Sequence, residues 1–194
     1  MLLKFTLRPI LKVTAKIGPR LGLWYSDYRN QLILKKLKSC GQDCHLYGSI
    51  TIVRPERLSI GNNVHINHNA YIHAAGGVVI GDNTHIGRNL TLYSYSHNYE
   101  GEALPYDETY IEKPVTIGKN VWIGMDVKII PGVTIGDGAV IGLGTVVSED
   151  VPFCAVVGLS KQRIIKYRDK DRYTDLEKNR CYGGVCGKLY GGEK

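Results

Sequence analysis

An aliphatic residue recurs at every sixth position through the middle of this chain, and that period restricts its fold more than any other feature. Ile60, Ile66 and Ile72 set it, and Ile80, Ile86 and Leu92 repeat it. After a gap it resumes at Ile117, Ile123, Ile129, Ile135, Ile141 and Val147. Glycine often follows, as at Gly61, Gly81, Gly87, Gly118, Gly124, Gly136 and Gly142. A period of six matches neither a 3.6-residue helix nor an alternating strand. It matches a short strand and a corner, repeated. Gly-Asn-Asn at 61–63, Gly-Asp-Asn at 81–83, Gly-Arg-Asn at 87–89 and Gly-Lys-Asn at 118–120 supply corners, because Gly and Asn tolerate positive φ. Three units make a triangular coil, and coils stack at the inter-strand spacing of ~4.8 Å. A β-sandwich with unusual glycine spacing does not account for twelve in-register positions.

The period predicts about five coils, at 46–59, 60–79, 80–97, 117–134 and 135–152, with two extra residues near Gly76-Gly77. The core is then a column of Ile and Val, in keeping with only two Phe and two Trp among 194 residues. With 43% apolar and 22% charged residues the chain is expected to fold, and it has no apolar run long enough for a membrane span. Lys4, Arg8, Lys12, Lys16 and Arg20 interrupt any secretory signal, so a cytoplasmic location is expected, with association at the inner membrane face an option. The net charge of +7 belongs to residues 1–40, where nine Lys or Arg face Asp27 alone. The body is nearly neutral, which argues against a nucleic-acid partner. Cys40-x3-Cys44 and Cys181-x4-Cys186 lack the tight spacing usual for zinc, and with Cys154 they read as reduced thiols with no metal.

The boundaries expected are a basic helical segment at 1–40, a β-helix at 41–158 containing an extended loop at 98–113, and a basic segment with a flexible tail at 159–194. Residues 1–38 read as one or two amphipathic helices. Two roles suit them: peripheral contact with an anionic membrane, or a cap over the open end of the coils, the latter favoured for 25–38. All six histidines lie between His45 and His97. His97 opens the long interruption, and loops of that length are usually functional or disordered. An imidazole can accept a hydroxyl proton near neutral pH, which makes His97 the candidate general base. His65 and His85 share one repeat position, and Trp122 shares it too if register survives the loop.

The repeats resemble those of the hexapeptide-repeat acyltransferases, which have a left-handed parallel β-helix fold. The likeness covers roughly residues 46–168. It is most specific over Pro114-Val115-Thr116-Ile117-Gly118-Lys119-Asn120-Val121-Trp122-Ile123-Gly124 and Ile130-Pro131-Gly132-Val133-Thr134-Ile135-Gly136. It looks closest to the galactoside, maltose and polysaccharide O-acetyltransferases and the xenobiotic acetyltransferases. The resemblance implies an acetyl-CoA-dependent O-acetyltransferase, a homotrimer with sites between subunits, and a catalytic histidine where Ser96-His97-Asn98-Tyr99 stands. The acceptor is a small molecule or glycan: a sugar or polysaccharide hydroxyl, or in the alternative an antibiotic hydroxyl. A non-catalytic scaffold is the third reading. His73, Asn98, Tyr99 and Trp122 are the expected acceptor contacts. Met125, Gly142-Leu143-Gly144-Thr145, Lys161, Arg163 and Lys166 are the expected cofactor contacts. The zinc carbonic anhydrases of the same fold need further histidines, and none follows His97. Two departures stand out. Met125 replaces the Ser or Ala that relatives carry after Trp-Ile-Gly, and Leu159-Ser160-Lys161 replaces a Gly-Asn-Pro-like turn.

Overall fold

A computed structural model describes residues 22, 24–159 and 166–182. The chain divides into two units, Met1–Leu159 and Ser160–Lys194.

The first unit is a parallel β-helix of about six turns. Its three faces are ladders of short strands. The first stacks Ser39–Cys40, Leu58–Ile60, Val78–Ile80, Val115–Ile117 and Thr134–Ile135. The second stacks His45–Leu46, His65–Ile66, His85–Ile86, Trp122–Ile123, Val140–Ile141 and Val156–Val157. The third stacks Thr51–Val53, Tyr71–His73, Thr91–Tyr93, Lys128–Ile129 and Val146–Val147. The sixfold aliphatic residues point inward, and Ile66, Ile72, Ile80, Ile86, Leu92, Ile117 and Ile123 are essentially inaccessible. Each fully buried side chain of this size contributes about 1.5–3 kcal/mol.

The corners follow the polar residues. Asn63, Asn83 and Asn120 all hold positive φ. Their amides bond along the stack, Asn63 Nδ2 to Asn83 Oδ1 at 3.0 Å and Asn83 Nδ2 to Asn120 Oδ1 at 3.1 Å. Register survives the long interruption: Ile80 pairs with Ile117, and His85 with Trp122.

The helix extends beyond the expected coils at both ends. It begins at Ser39 because Cys40 and Cys44 stand where later turns carry aliphatic residues, and Cys44 is buried in the core. It runs on to Val157 because Val151 and Val156–Val157 pair with the turn before. Helix α1, residues 24–34, lies against the first turn. Asn30, almost fully buried, donates to the Leu46 and Gly48 carbonyls, while Ile33, Leu34 and Leu37 pack on the core. This is the cap favoured for 25–38. Residues 1–21, on which membrane contact through 1–38 chiefly depended, lie outside the described residues. Among those described, no helix is long and apolar enough to cross a membrane.

The loop expected at 98–113 begins and ends as an antiparallel hairpin. Tyr95–His97 pairs with Tyr110–Glu112, and His97 faces Tyr110 across it. In the second unit, where a flexible tail was expected, Lys170–Lys178 forms helix α2, capped by Asp169 accepting from the Arg172 amide at 2.9 Å.

Candidate active site

His97 stands where the chain leaves the third face, at the corner before the first face resumes. Regular coil geometry ends there: Tyr95–His97 leaves the ladder and is held by Tyr110–Glu112 instead. Alternation along the hairpin puts Tyr95 and His97 on one side, with ring centroids 6.0 Å apart. Tyr110 lies 5.0 Å from His97, and the loop folds the Tyr106 ring flat against the imidazole at 3.9 Å. The His97 ring is therefore half-covered. Its Nδ1 is buried, with no hydrogen-bond partner among the described residues.

Asp107 organises the loop. Its carboxylate accepts from the Glu102 amide, the Thr109 amide and the Thr109 hydroxyl. Those bonds, the Thr109 hydroxyl first, hold its carboxyl below the usual range. Asn98, expected at the acceptor, uses its amide inside the loop, donating to Thr109 Oγ1 at 3.1 Å and accepting from the Glu100 amide. Tyr99 faces solvent.

His73 ends a strand of the third face, one turn before Tyr93. Its ring lies 4.1 Å from Tyr95 and its Nδ1 is likewise buried and unpartnered among the described residues. Burial pushes its pKa down, and the nearby Arg54 charge adds to this. The irregularity at Gly76-Gly77 makes room for the hairpin. Gly76 donates to Ser94 Oγ, and a β-carbon there would collide with the Ser94 carbonyl. His73, Tyr95, Tyr110 and Glu112 share a cavity of about 370 Å³ with Val53, Arg54, Arg57 and Ala75. Arg57 crosses from the first coil to bond Glu112 at 2.6 Å. Neither arginine was singled out from sequence. The available signal was the broken hexad at Pro55, where a short 3-10 turn, Pro55–Arg57, replaces a regular corner.

The residues expected to hold the cofactor occupy a different corner, between the second and third faces. Met125 and Leu143, one turn apart, are exposed there, and the Gly144 amide donates to the Met125 carbonyl at 2.8 Å. Gly144 needs its positive φ of 71°, and Thr145 Oγ1 closes the turn onto the Gly142 carbonyl at 2.7 Å. Trp122 is exposed on the second face and belongs to neither corner. It continues in register a ladder of His45, His65 and His85, whose tilted rings have centroids 5.0 and 4.4 Å apart. Lys161 and Arg163 lie outside the described residues, and Lys166 is exposed in the second unit. Among the described residues no three His, Cys, Asp or Glu side chains gather as a metal site.

Fold alone does not fix an activity, and comparison with known proteins supplies the class. The family described as bacterial transferase hexapeptide (six repeats) matches residues 114–149, and the hexapeptide repeat of succinyl-transferase matches 57–94. A galactoside acetyltransferase solved with coenzyme A is 34% identical over 74% of this chain and 72% of its own, with a TM-score of 0.62. A maltose O-acetyltransferase from Clostridium difficile is 30% identical over 73% of this chain and 75% of its own, TM-score 0.62. A hexapeptide-repeat acetyltransferase from Vibrio cholerae, solved with acetyl coenzyme A, is 29% identical over 72% of this chain and 75% of its own, TM-score 0.62. No curated protein sequence matches. The chain belongs to the hexapeptide-repeat acetyltransferases, and it is an acyltransferase.

Proposed function

We propose that the protein transfers an acetyl group from acetyl-CoA to a hydroxyl of a sugar or polysaccharide precursor, with His97 as general base. The observation that carries this reading is the half-covered His97 imidazole beside an aromatic, polar cavity. Imidazole takes the hydroxyl proton as the oxygen attacks the thioester carbonyl. The new ester C–O bond forms, the C–S bond breaks, and the imidazolium returns its proton to the departing thiolate. General-base assistance of this kind is worth about 10²–10⁴-fold.

The exposed edge formed by Met125 and Leu143 fits an extended, largely apolar arm such as pantetheine. Met125 has no side-chain hydroxyl to offer, so its backbone N–H is the group left to meet a developing oxyanion. His97 and the 142–145 corner lie on different corners of the same triangle, so one copy alone does not bring base and thioester together. A symmetric oligomer with its site between subunits resolves this, and a homotrimer is the assembly we propose.

Titration calorimetry with acetyl-CoA, with free CoA as comparison, tests the reading without knowledge of the acceptor. Binding near one site per chain is expected. A folded sample that binds neither compound would overturn it.

A further inference from the structure

The cavity beside His97 is rich in donors and poor in acceptors. A guanidinium carries five N–H donors. Arg57 commits one nitrogen to Glu112, and Arg54 commits Nε to Glu56 at 2.9 Å, so both keep donors to spare. Among the described side chains that line it, only the Glu112 carboxylate accepts without donating, and Arg57 engages its Oε1. Arg54 sits at φ 59°, a left-handed conformation uncommon for a residue with a β-carbon, just ahead of the Pro55–Arg57 turn. The coil is thus bent out of its regular path where it delivers two arginines to one rim. The same cavity is lined by the rings of His73, Tyr95 and Tyr110, which lie within 5.5 Å of their nearest neighbours. Rings of this kind stack against the apolar face of a sugar. A volume of about 370 Å³ lies at the small end of ligand sites and suits one substituted ring.

We infer that this cavity receives an acidic sugar, with Arg54 and Arg57 clamping its carboxylate or phosphate while the ring lies on Tyr95 and Tyr110. The inference rests on the acetyltransferase reading and narrows its acceptor class. Planar guanidinium forks match both anions, because each offers acceptor oxygens without donors. A ring lying on Tyr95 places a hydroxyl toward His97, which shares that side of the hairpin.

The test is calorimetry on the full chain with three probes: methyl glucuronide, glucose 1-phosphate and neutral methyl glucoside. At least one anionic probe should bind about tenfold more tightly than the neutral one, and the advantage should shrink with added salt. The carboxylate and phosphate arms tell which anion is preferred. The Arg54→Gln variant should lose most of that preference, and R54Q/R57Q all of it. Arg57→Gln also strips Glu112 of its partner, so Arg54→Gln, checked for an unchanged melting temperature, is the cleaner variant. Equal binding of the neutral probe overturns the inference, as does an anion preference that survives in the folded double variant. If a sample that binds acetyl-CoA binds none of the probes, the acidic-sugar assignment falls and the acetyltransferase reading stands. If acetyl-CoA fails to bind, that reading falls, while the three titrations still report the cavity's preference.

Discussion

Two groups of histidines on one β-helix sit under opposite conditions. His45, His65 and His85 form a ladder on the second face, each repeating the last one turn on. There the central ring is satisfied on both nitrogens: His65 Nδ1 meets the Tyr47 hydroxyl at 3.1 Å and Nε2 meets Asn63 Oδ1 at 2.9 Å, while His45 and His85 are exposed to solvent. His73 and His97 sit where the repeat is broken, and each keeps a buried nitrogen without a partner among the described residues. Buried polar atoms are normally paired, so an unpaired one calls for an explanation. Repetition sets like side chains one above another, and the corner amides of Asn63, Asn83 and Asn120 bond each other for that reason. Interruption brings together residues with no counterpart in the next turn, and leaves bonding capacity for a ligand.

The sharpest way to break this contrast is His97→Ala. Acetyl transfer should fall by about 10²–10⁴-fold with acetyl-CoA affinity and melting temperature unchanged. His85→Ala in the ladder should leave turnover within about twofold of the parent. Equal losses from the two substitutions would erase the distinction. Next in size, Ile86→Ala should destabilise the protein by about 2–5 kcal/mol in denaturant titration, since its side chain is sealed in the column beneath the ladder. Leu104→Ala, in the exposed loop, should cost under about 0.5 kcal/mol. A smaller effect is expected from Asp107→Ala. It frees the loop that lays Tyr106 on His97, and kcat and KM should shift together by roughly threefold to tenfold, with little change in melting temperature.

The smallest effect is on pH dependence. Burial lowers the His65 pKa, and the His85 and His45 imidazoles add to the shift. The folded state therefore favours neutral His65. Its contribution to stability is complete above the unfolded value of about 6.5 and declines as pH falls from there through the depressed folded value. Melting curves at pH 7.5 and 5.5 should differ less for His65→Asn than for the parent. An identical difference would show that the ladder carries no linkage.

Most of the fold was legible because each turn writes the same inward residues at the same interval. The register pairing of Trp122 with His85 followed from counting hexads across a segment that contributes none. The first turn was obscured because Cys40 pairs in register with Ile60 and buried Cys44 takes the place that Val64 holds one turn on, and a thiol does not announce itself as part of the repeat. The position of His97 at the start of the interruption was legible from the same count. The cavity was not. Arg54, His73, Tyr95 and Glu112 are brought together by a bent corner and a hairpin, and no periodicity links them. Nor does anything in the sequence reveal that Thr109 folds back to accept from the Asn98 amide.

Helix α1 closes the first turn of the stack, and it precedes that turn in the chain. On the ribosome, the lid is therefore made before the first coil it covers. Each new turn emerges onto a template already sealed on its far side, so during synthesis the unpaired strand edges face only the direction of growth. A solenoid assembled in this order has one live end at a time, and two nascent chains have correspondingly fewer ways to pair by mistake.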